Sequence, residues 1–464
     1  MRRARLFMVC MLGILVFSIP SNFARAEVKI QDLPTVLDEF LIGGDLNLFW
    51  RWDHYPYFAK NQFVQKDNNW GEIYSRLRFK AKKKYDWAEL EAQIAPIFIA
   101  TIDQDVYGLL SDKTEVDFNQ AYIKFGQLFG SPFTATVGMQ DLWIEKQMMI
   151  GLGRTQGTAL WLLFNQSFPF AVRVDGDFGA LKSTVFWARS GDYFAQTFEM
   201  KTEVEVAGIN LHYDVMEGAY LYGGFFTKMD DTPPGTTGPV LGQSLYQTDT
   251  HVVDFGGDWT FGPVNVEAEA VYEFGNVEVA PGTSLDRNSF GFFVSPKFTF
   301  PVDYSPYIKL HYIFWPGDEN RDDPNGDIEE YDPMFEGWTV WNRWFIGEHM
   351  TEVFGLKTNT IKYIGEIVFY PVETCQIQLM YIRHQLDEPY YPVGVLNPLL
   401  DDTGGVLKVS KDFADEVNLF MNWQATDFLF IHSGLGFDIP NDGAKEIFGN
   451  KTAVFAQLWF MFAF

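Results

Sequence analysis

The strongest constraint on this chain is a polarity that alternates residue by residue. In Glu72–Lys83, Ile73, Leu77, Phe79 and Ala81 fall on one face and Arg76, Arg78, Lys80 and Lys82 on the other. In Pro263–Phe274, Val264, Val266, Ala268, Ala270 and Tyr272 alternate with Asn265, Glu267, Glu269 and Glu273. Phe198–Val206 sets Phe198, Met200, Val204 and Val206 against Glu199, Lys201, Glu203 and Glu205. Period two with one apolar face is the β-strand pattern. A soluble sandwich turns the apolar face inward, whereas a membrane barrel turns it to lipid and lines its lumen with the charged face. Beyond Ala26 no apolar run reaches the about 18 residues of a helical span, so helical membrane crossing is excluded.

Three features separate the two architectures. The strand segments run about 9–12 residues, the length of a tilted membrane-crossing strand. Connections alternate between tight turns and long polar loops. Lys84–Asp86, Leu128–Pro132, Gly179–Ala180, Gly262–Pro263, Pro371–Thr374 and Ala425–Asp427 are tight. Asp53–Gly71, Ala100–Phe118, Asp141–Ser167, Met229–Thr250, Gly317–Thr360 and Leu386–Asp415 are long. The chain ends AVFAQLWFMFAF, with Phe460, Phe462 and Phe464 on one face. Together these predict an all-β fold: one transmembrane antiparallel β-barrel over residues 41–464, with short periplasmic turns and long extracellular loops. The count is 18 strands, with 16 as the alternative because Thr197–Lys228 is the least regular stretch; a strand is expected to start near Asn210. An even count returns both termini to the periplasmic side and closure removes unpaired edges.

The N-terminus reads as a secretory signal over residues 1–26: basic Met1–Arg5, apolar Leu6–Ile19, and Ala24-Arg25-Ala26 as the cleavage site. Residues 27–40 form a short periplasmic lead-in. Cys10 leaves with the signal, and Cys375 alone cannot form an internal disulfide. The formal net charge is -26. The signal holds four arginines and no acid, so the remainder is more acidic still. That excludes general nucleic-acid binding, which needs net positive charge to displace counterions.

Phe118-Asn119-Gln120-Ala121-Tyr122, followed by Val137-Gly138-Met139-Gln140-Asp141-Leu142, resembles the "HQAY…GRQEL" stretch of the alginate-export porin family. Phe274-Gly275, closing a strand, and Asp332-Pro333-Met334-Phe335, before a long loop, are similar to that family too. The resemblance runs in order from about Gly43 to Phe464 and implies an 18-stranded outer-membrane barrel of a Gram-negative-type bacterium. The chain departs from the pattern at Met139, where the family has Arg. It also lacks the strongly basic lumen with which the family's exporter suits uronate polymers.

Strand phase places Arg51, Arg76, Arg78, Lys80, Arg173 and Lys309 in the lumen with Glu203, Glu205, Asp254, Glu267 and Glu269. The two signs nearly balance. Basic residues concentrate in the first two strands and acidic ones in the eighth, tenth and eleventh, roughly across the barrel. Such walls set selectivity; the plain alternative is a solvated polar face. Trp338, Trp341, Arg343 and Trp344 offer stacking faces and a donor fork to a sugar or carboxylate ligand, or else belong to the interfacial aromatic belt. Asp323, Asn325 and Asp327 are a weak calcium-ligand set within an acidic loop. The seven His show no paired metal spacing, and no GxSxG or phosphate-cradling loop is present. Asp387 near His384 is the one rim pair a barrel enzyme would use. No cofactor is expected.

The expected function is passive passage of small hydrophilic solutes or a polysaccharide through the outer membrane, without enzymatic chemistry. Lipid and, through Phe464, the barrel-assembly machinery are the expected partners. The competing reading is a loop-plugged barrel that scaffolds an envelope complex.

Overall fold

The computed structural model describes residues 28–29, 37–54, 67–103, 114–152, 168–190, 204–231, 236–237, 244–245, 247–319, 326–334, 358–394, 397–398 and 406–464. The expected signal segment, 1–26, lies outside them.

Eighteen antiparallel strands follow one another around the wall. They are β1 Glu39–His54, β2 Asp67–Lys84, β3 Glu89–Asp103, β4 Thr114–Gly126, β5 Phe133–Gln140, β6 Phe168–Phe178, β7 Leu181–Ser190, β8 Val204–Met216 and β9 Ala219–Asp230. The wall continues with β10 Gln247–Phe261, β11 Val264–Ala280, β12 Thr283–Thr299, β13 Tyr307–Trp315, β14 Thr360–Val372, β15 Cys375–Leu386, β16 Asp412–Thr426, β17 Leu429–Pro440 and β18 Ala453–Ala463. β18 pairs with β1 from Asp45↔Ala463 to His54↔Val454, which closes the barrel. Phe464 and Gly44 exchange two backbone hydrogen bonds at 2.8 and 3.0 Å. Just beyond that point Val28–Lys29 pairs with Ile42 and Leu41, continuing the edge where β18 stops.

The outer surface carries the apolar face. Ile94, Phe255, Leu310, Ile367, Leu419 and Phe437 are exposed side chains on this surface. A continuous apolar exterior of this extent belongs against lipid. The polar partners of the alternation turn inward: Asp45, Arg76, Asp254, Glu269, Lys309 and Glu366 are all buried.

Three details differ from the sequence expectation. Strand lengths span 8 residues in β5 to 18 in β2, rather than about 9–12, because several hairpins continue beyond membrane height. Asn210 lies inside β8 and does not start a strand; the turn falls at Glu217-Gly218, where Gly218 adopts φ +76°. Gly208 lies opposite Phe226 in the ladder, and a Cβ there would stand 2.5 Å from the Phe226 ring. Third, β8 has the opposite phase. Val206 is fully buried inside, while Glu205 shares the outer face with exposed Ile209 and Leu211, beside Trp187 and Arg189.

Candidate functional site: an inward-folded constriction

β5 is short, and Gln140 ends it by donating to the carbonyls of Thr136 and Ala171 at 3.1 Å. The chain then leaves the wall partway up and turns into the lumen. Leu142–Trp143 pairs with Gly151–Leu152, and the Ile144 N–H donates to the Ile150 carbonyl at 3.0 Å. Glu145 and Gln147 take the left-handed conformation at the tip, with φ 48° and 66°. Leu142, Ile144, Met148, Met149 and Ile150 are buried on this hairpin, which we call the finger.

The inner wall opposite explains why it folds in. Ala171, Ala188 and Val206 are ladder partners, as are Phe226 and Val252, Phe293 and Ile313, and Ile364 and Ile382. These side chains form an apolar band across the inside of β6–β15 and pack with the finger in one core. Each large apolar side chain removed from water contributes about 1.5–3 kcal/mol. The lumen therefore holds a hydrophobic core that no uniformly polar inner face would allow.

The tip is ionic. Glu145 accepts from Asn210 Nδ2 at 2.7 Å and lies 3.2 Å from His212 Nδ1. Lys146 reaches Asp258 at 3.0 Å and Glu267 at 3.4 Å. Burial alone would push the Lys146 ammonium down, but the Glu267 charge and contacts with Tyr220 and Asp258 outweigh it and hold the pKa above its ordinary value. Lys309 supplies Glu267 with a second cation at 2.8 Å.

A second inward segment, residues 326–334, braces the finger. Ile328 exchanges backbone hydrogen bonds with β12: its N–H donates to Asp286 at 2.7 Å, and its carbonyl accepts from Asn288 at 2.9 Å. Tyr331 stacks on Trp315, with ring planes 6° apart, and its hydroxyl donates to the Met148 carbonyl at 3.3 Å. Asp332 pairs with Lys228 at 3.0 Å and with Arg287 at 3.9 Å. Burial would raise the Asp332 carboxyl, but these two cations hold it at about 2.

The residues expected in the lumen lie in local pairs. Fully buried Arg51 contacts Asp53 at 2.8 Å and covers the Phe455 ring at 5.1 Å. Arg76 is 2.5 Å from Asp45, and Arg78 is 3.9 Å from the same carboxylate. Lys80 pairs in register with Leu41 and is half-buried. Arg173 contacts Asp175 at 2.8 Å. Glu269 accepts from the Tyr222 hydroxyl at 3.0 Å, and Asp254 is buried beside it. Arg51, Arg76, Arg78, Arg173 and Lys309 thus each contact a carboxylate within their own wall, which weakens the transverse field that the segregated charges suggested, whereas Asp254 and Glu269 lie together as two carboxylates.

Glu203, Asp323, Asn325, Trp338, Trp341, Arg343 and Trp344 lie outside the described residues. Asp327 is exposed. His384 contacts Glu416 at 3.2 Å, while Asp387 accepts from the Gly317 N–H, so the rim pair does not form. Among the described residues no three His, Cys, Asp or Glu gather as a metal site. Sequence reasoning missed Glu145, Lys146, Lys228, Arg287 and Tyr331. The available signal was LWIEKQMMIG, an apolar run inside a stretch read as a polar loop.

A family model described as alginate export matches residues 100–432. No curated protein matches the chain. Among solved structures it is similar to Pseudomonas aeruginosa OccK9 (OpdG), with 10% identity over 91% of this chain and 98% of that one at TM-score 0.56. Acinetobacter baumannii OccAB4 gives 11% identity, 91% and 98% coverage, and TM-score 0.54. A BenF-like porin from Pseudomonas fluorescens Pf-5 gives 8% identity, 92% and 99% coverage, and TM-score 0.53. At these identities the likeness is one of fold.

Proposed function

The chain belongs to the alginate export family of outer-membrane barrels, and from that premise we propose that it passes small hydrophilic solutes through a lumen narrowed by the finger. The carrying observation is the finger's polar tip. It leaves the wall, buries its apolar side chains on the inner band, and presents Glu145 and Lys146 among wall residues. An 18-stranded barrel is wide enough for an aqueous path, and an inward loop is the means of narrowing it. Selectivity on this reading comes from the ion pairs around Lys146, Glu267 and Lys309, and across the lumen from Arg76, Arg78 and Lys80. Arg51, Arg173, Asp254 and Glu269 line the remaining wall. Passage requires no covalent step.

Further parts of the reading are the removal of residues 1–26, a periplasmic position for 27–40 and for the tight turns, and recognition of Phe464 by the assembly machinery. The family description makes a polysaccharide chain the second cargo. A plugged scaffold is the competing reading, favoured by the apolar core inside the barrel. Liposome swelling separates them. Vesicles holding the protein should swell in small sugars and amino acids at rates that fall with solute size. Vesicles that swell no faster than protein-free ones would support the plug and reject the channel.

A further inference from the structure

Where the finger tip meets β8, an imidazole stands between two carboxylates. His212 lies on the lumen face of β8. Its Nδ1 is 3.2 Å from Glu145 on the finger, and its Nε2 is 3.0 Å from Asp214 on β8 itself. A neutral imidazole carries one N–H and one lone pair, so it donates to only one of these carboxylates and sets a lone pair against the other. The imidazolium donates to both at once.

The charges around the ring come from every element packed against it. Lys182 of β7 donates to Asp214 at 3.0 Å. His212 stacks on Tyr220 of β9 with ring centroids 4.5 Å apart, and Lys146 of the finger lies 5.6 Å from that same ring. Arg173, Asp175 and Asp177 of β6 line a cavity of about 350 Å³ together with His212 and Glu145. The three cations oppose charge on the imidazole, but each contacts a carboxylate of its own: Lys182 has Asp214, Lys146 has Asp258 and Glu267, and Arg173 has Asp175. Glu145 and Asp214 touch the ring directly, and charge-assisted hydrogen bonds are roughly twice as strong as neutral ones. The His212 side chain is 19% exposed, so protons from the lumen reach it.

We infer that His212 is a protonation-dependent clasp on the finger. As the imidazolium it ties Glu145 to Asp214 and holds the tip against β8; as the neutral imidazole it releases one of the two. The clasp rests on the reading of the finger as the constriction and gives that constriction a regulator. Its sign follows from the charge. The hold is complete where the ring is protonated and is lost as the pH rises through the range, about 5 to 8, in which imidazoles change charge. Asn210 still donates to Glu145, and Lys146 keeps Asp258 and Glu267, so the tip loosens without leaving the wall.

The test is hydrogen exchange of the detergent-purified, full-length barrel at about pH 5.5 and about pH 8.5, on either side of imidazole titration, with each rate divided by its intrinsic value. Protection across Leu142–Leu152 should fall about tenfold at the higher pH, the equivalent of one charged hydrogen bond, while β17 and β18 keep theirs. His212→Gln keeps a donor but cannot gain a proton, and should show no such step. Glu145→Gln should lack it too, because an amide meets a neutral ring as well as a charged one; heat-modifiable gel mobility shows which variants fold. Equal protection in the parent at both pH values would overturn the clasp. So would a step that persists in a folded His212→Gln or Glu145→Gln, which would assign the titration to another group, such as the Asp254 and Glu269 pair near Glu145. Exchange needs no conduction. A protection step with unchanged unitary conductance rejects the finger as the constriction and keeps the clasp, whereas conductance without a protection step keeps the channel and rejects the clasp.

Discussion

The two arcs of the lumen wall solve the same problem differently. On β6–β15 the inner face carries an apolar band, and the finger and residues 326–334 cover it. On β16–β18 and β1 the inner face is mixed: Phe49, Phe420, Phe455 and Trp459 are buried among polar side chains that pair with one another. His432 bridges Asn422 at 2.6 Å and Gln457 at 2.7 Å, Trp459 donates to Asn47 at 3.0 Å, and Asn418 donates to Glu416 at 2.7 Å. Apolar side chains facing water drive a cover onto themselves, whereas polar ones can pair with strand neighbours or water. The lumen is filled on the arc whose inward apolar side chains gather into one cluster with the finger.

Removing the brace is the largest disturbance of the covered arc. Tyr331→Ala loses the stack on Trp315 and the contact with Met148, at a cost of about 3 kcal/mol, typical of a buried aromatic truncation. Hydrogen exchange should then speed up at Leu142–Leu152 while the amides of β17 and β18 keep their protection. Equal loosening of both arcs would break the distinction between them.

Asp332 tests the same arc by pH. Its folded pKa of about 2 lies below the ordinary 3.8. The carboxylate therefore stabilises the fold above about pH 4, and that stabilisation is lost as the pH falls from about 4 to about 2. The shift corresponds to about 2 kcal/mol. Asp332→Asn should already be weakened at pH 7 and lack this acid step. A variant as stable as the parent at pH 7 would show that the Lys228 and Arg287 contacts contribute nothing.

The smallest expected effect compares cations on the two arcs. Lys146→Ser frees Asp258 and leaves Glu267 with Lys309 alone, whereas Arg78→Ser leaves Asp45 held by Arg76. The reversal potential across a salt gradient should move toward cation preference by more in Lys146→Ser than in Arg78→Ser. The opposite order would place the conducting path along the β1–β2 wall.

Much of the barrel was legible because lipid imposes a strict rule on the outer face. Every second residue must be apolar, so strand number, closure and most phases follow from the alternation. No such rule governs the inner face. Val206 inside and Glu205 outside reverse the pattern in β8, and apolarity on both faces cannot be assigned from sequence alone. The finger escaped notice for a related reason. Its apolar residues lie between loop boundaries, and only the band on distant strands shows what they cover. Charge pairing was equally hidden, because Lys146 neutralises Asp258 and Glu267 across more than a hundred residues of sequence.

The central claim is that the finger narrows a conducting lumen. It is tested most directly by single-channel conductance of the intact protein beside a variant in which residues 142–151 are replaced by a short Gly-Ser linker. The account predicts discrete openings in both, with severalfold larger steps in the variant. Steps of equal size would show that the finger does not set the constriction and would contradict the account.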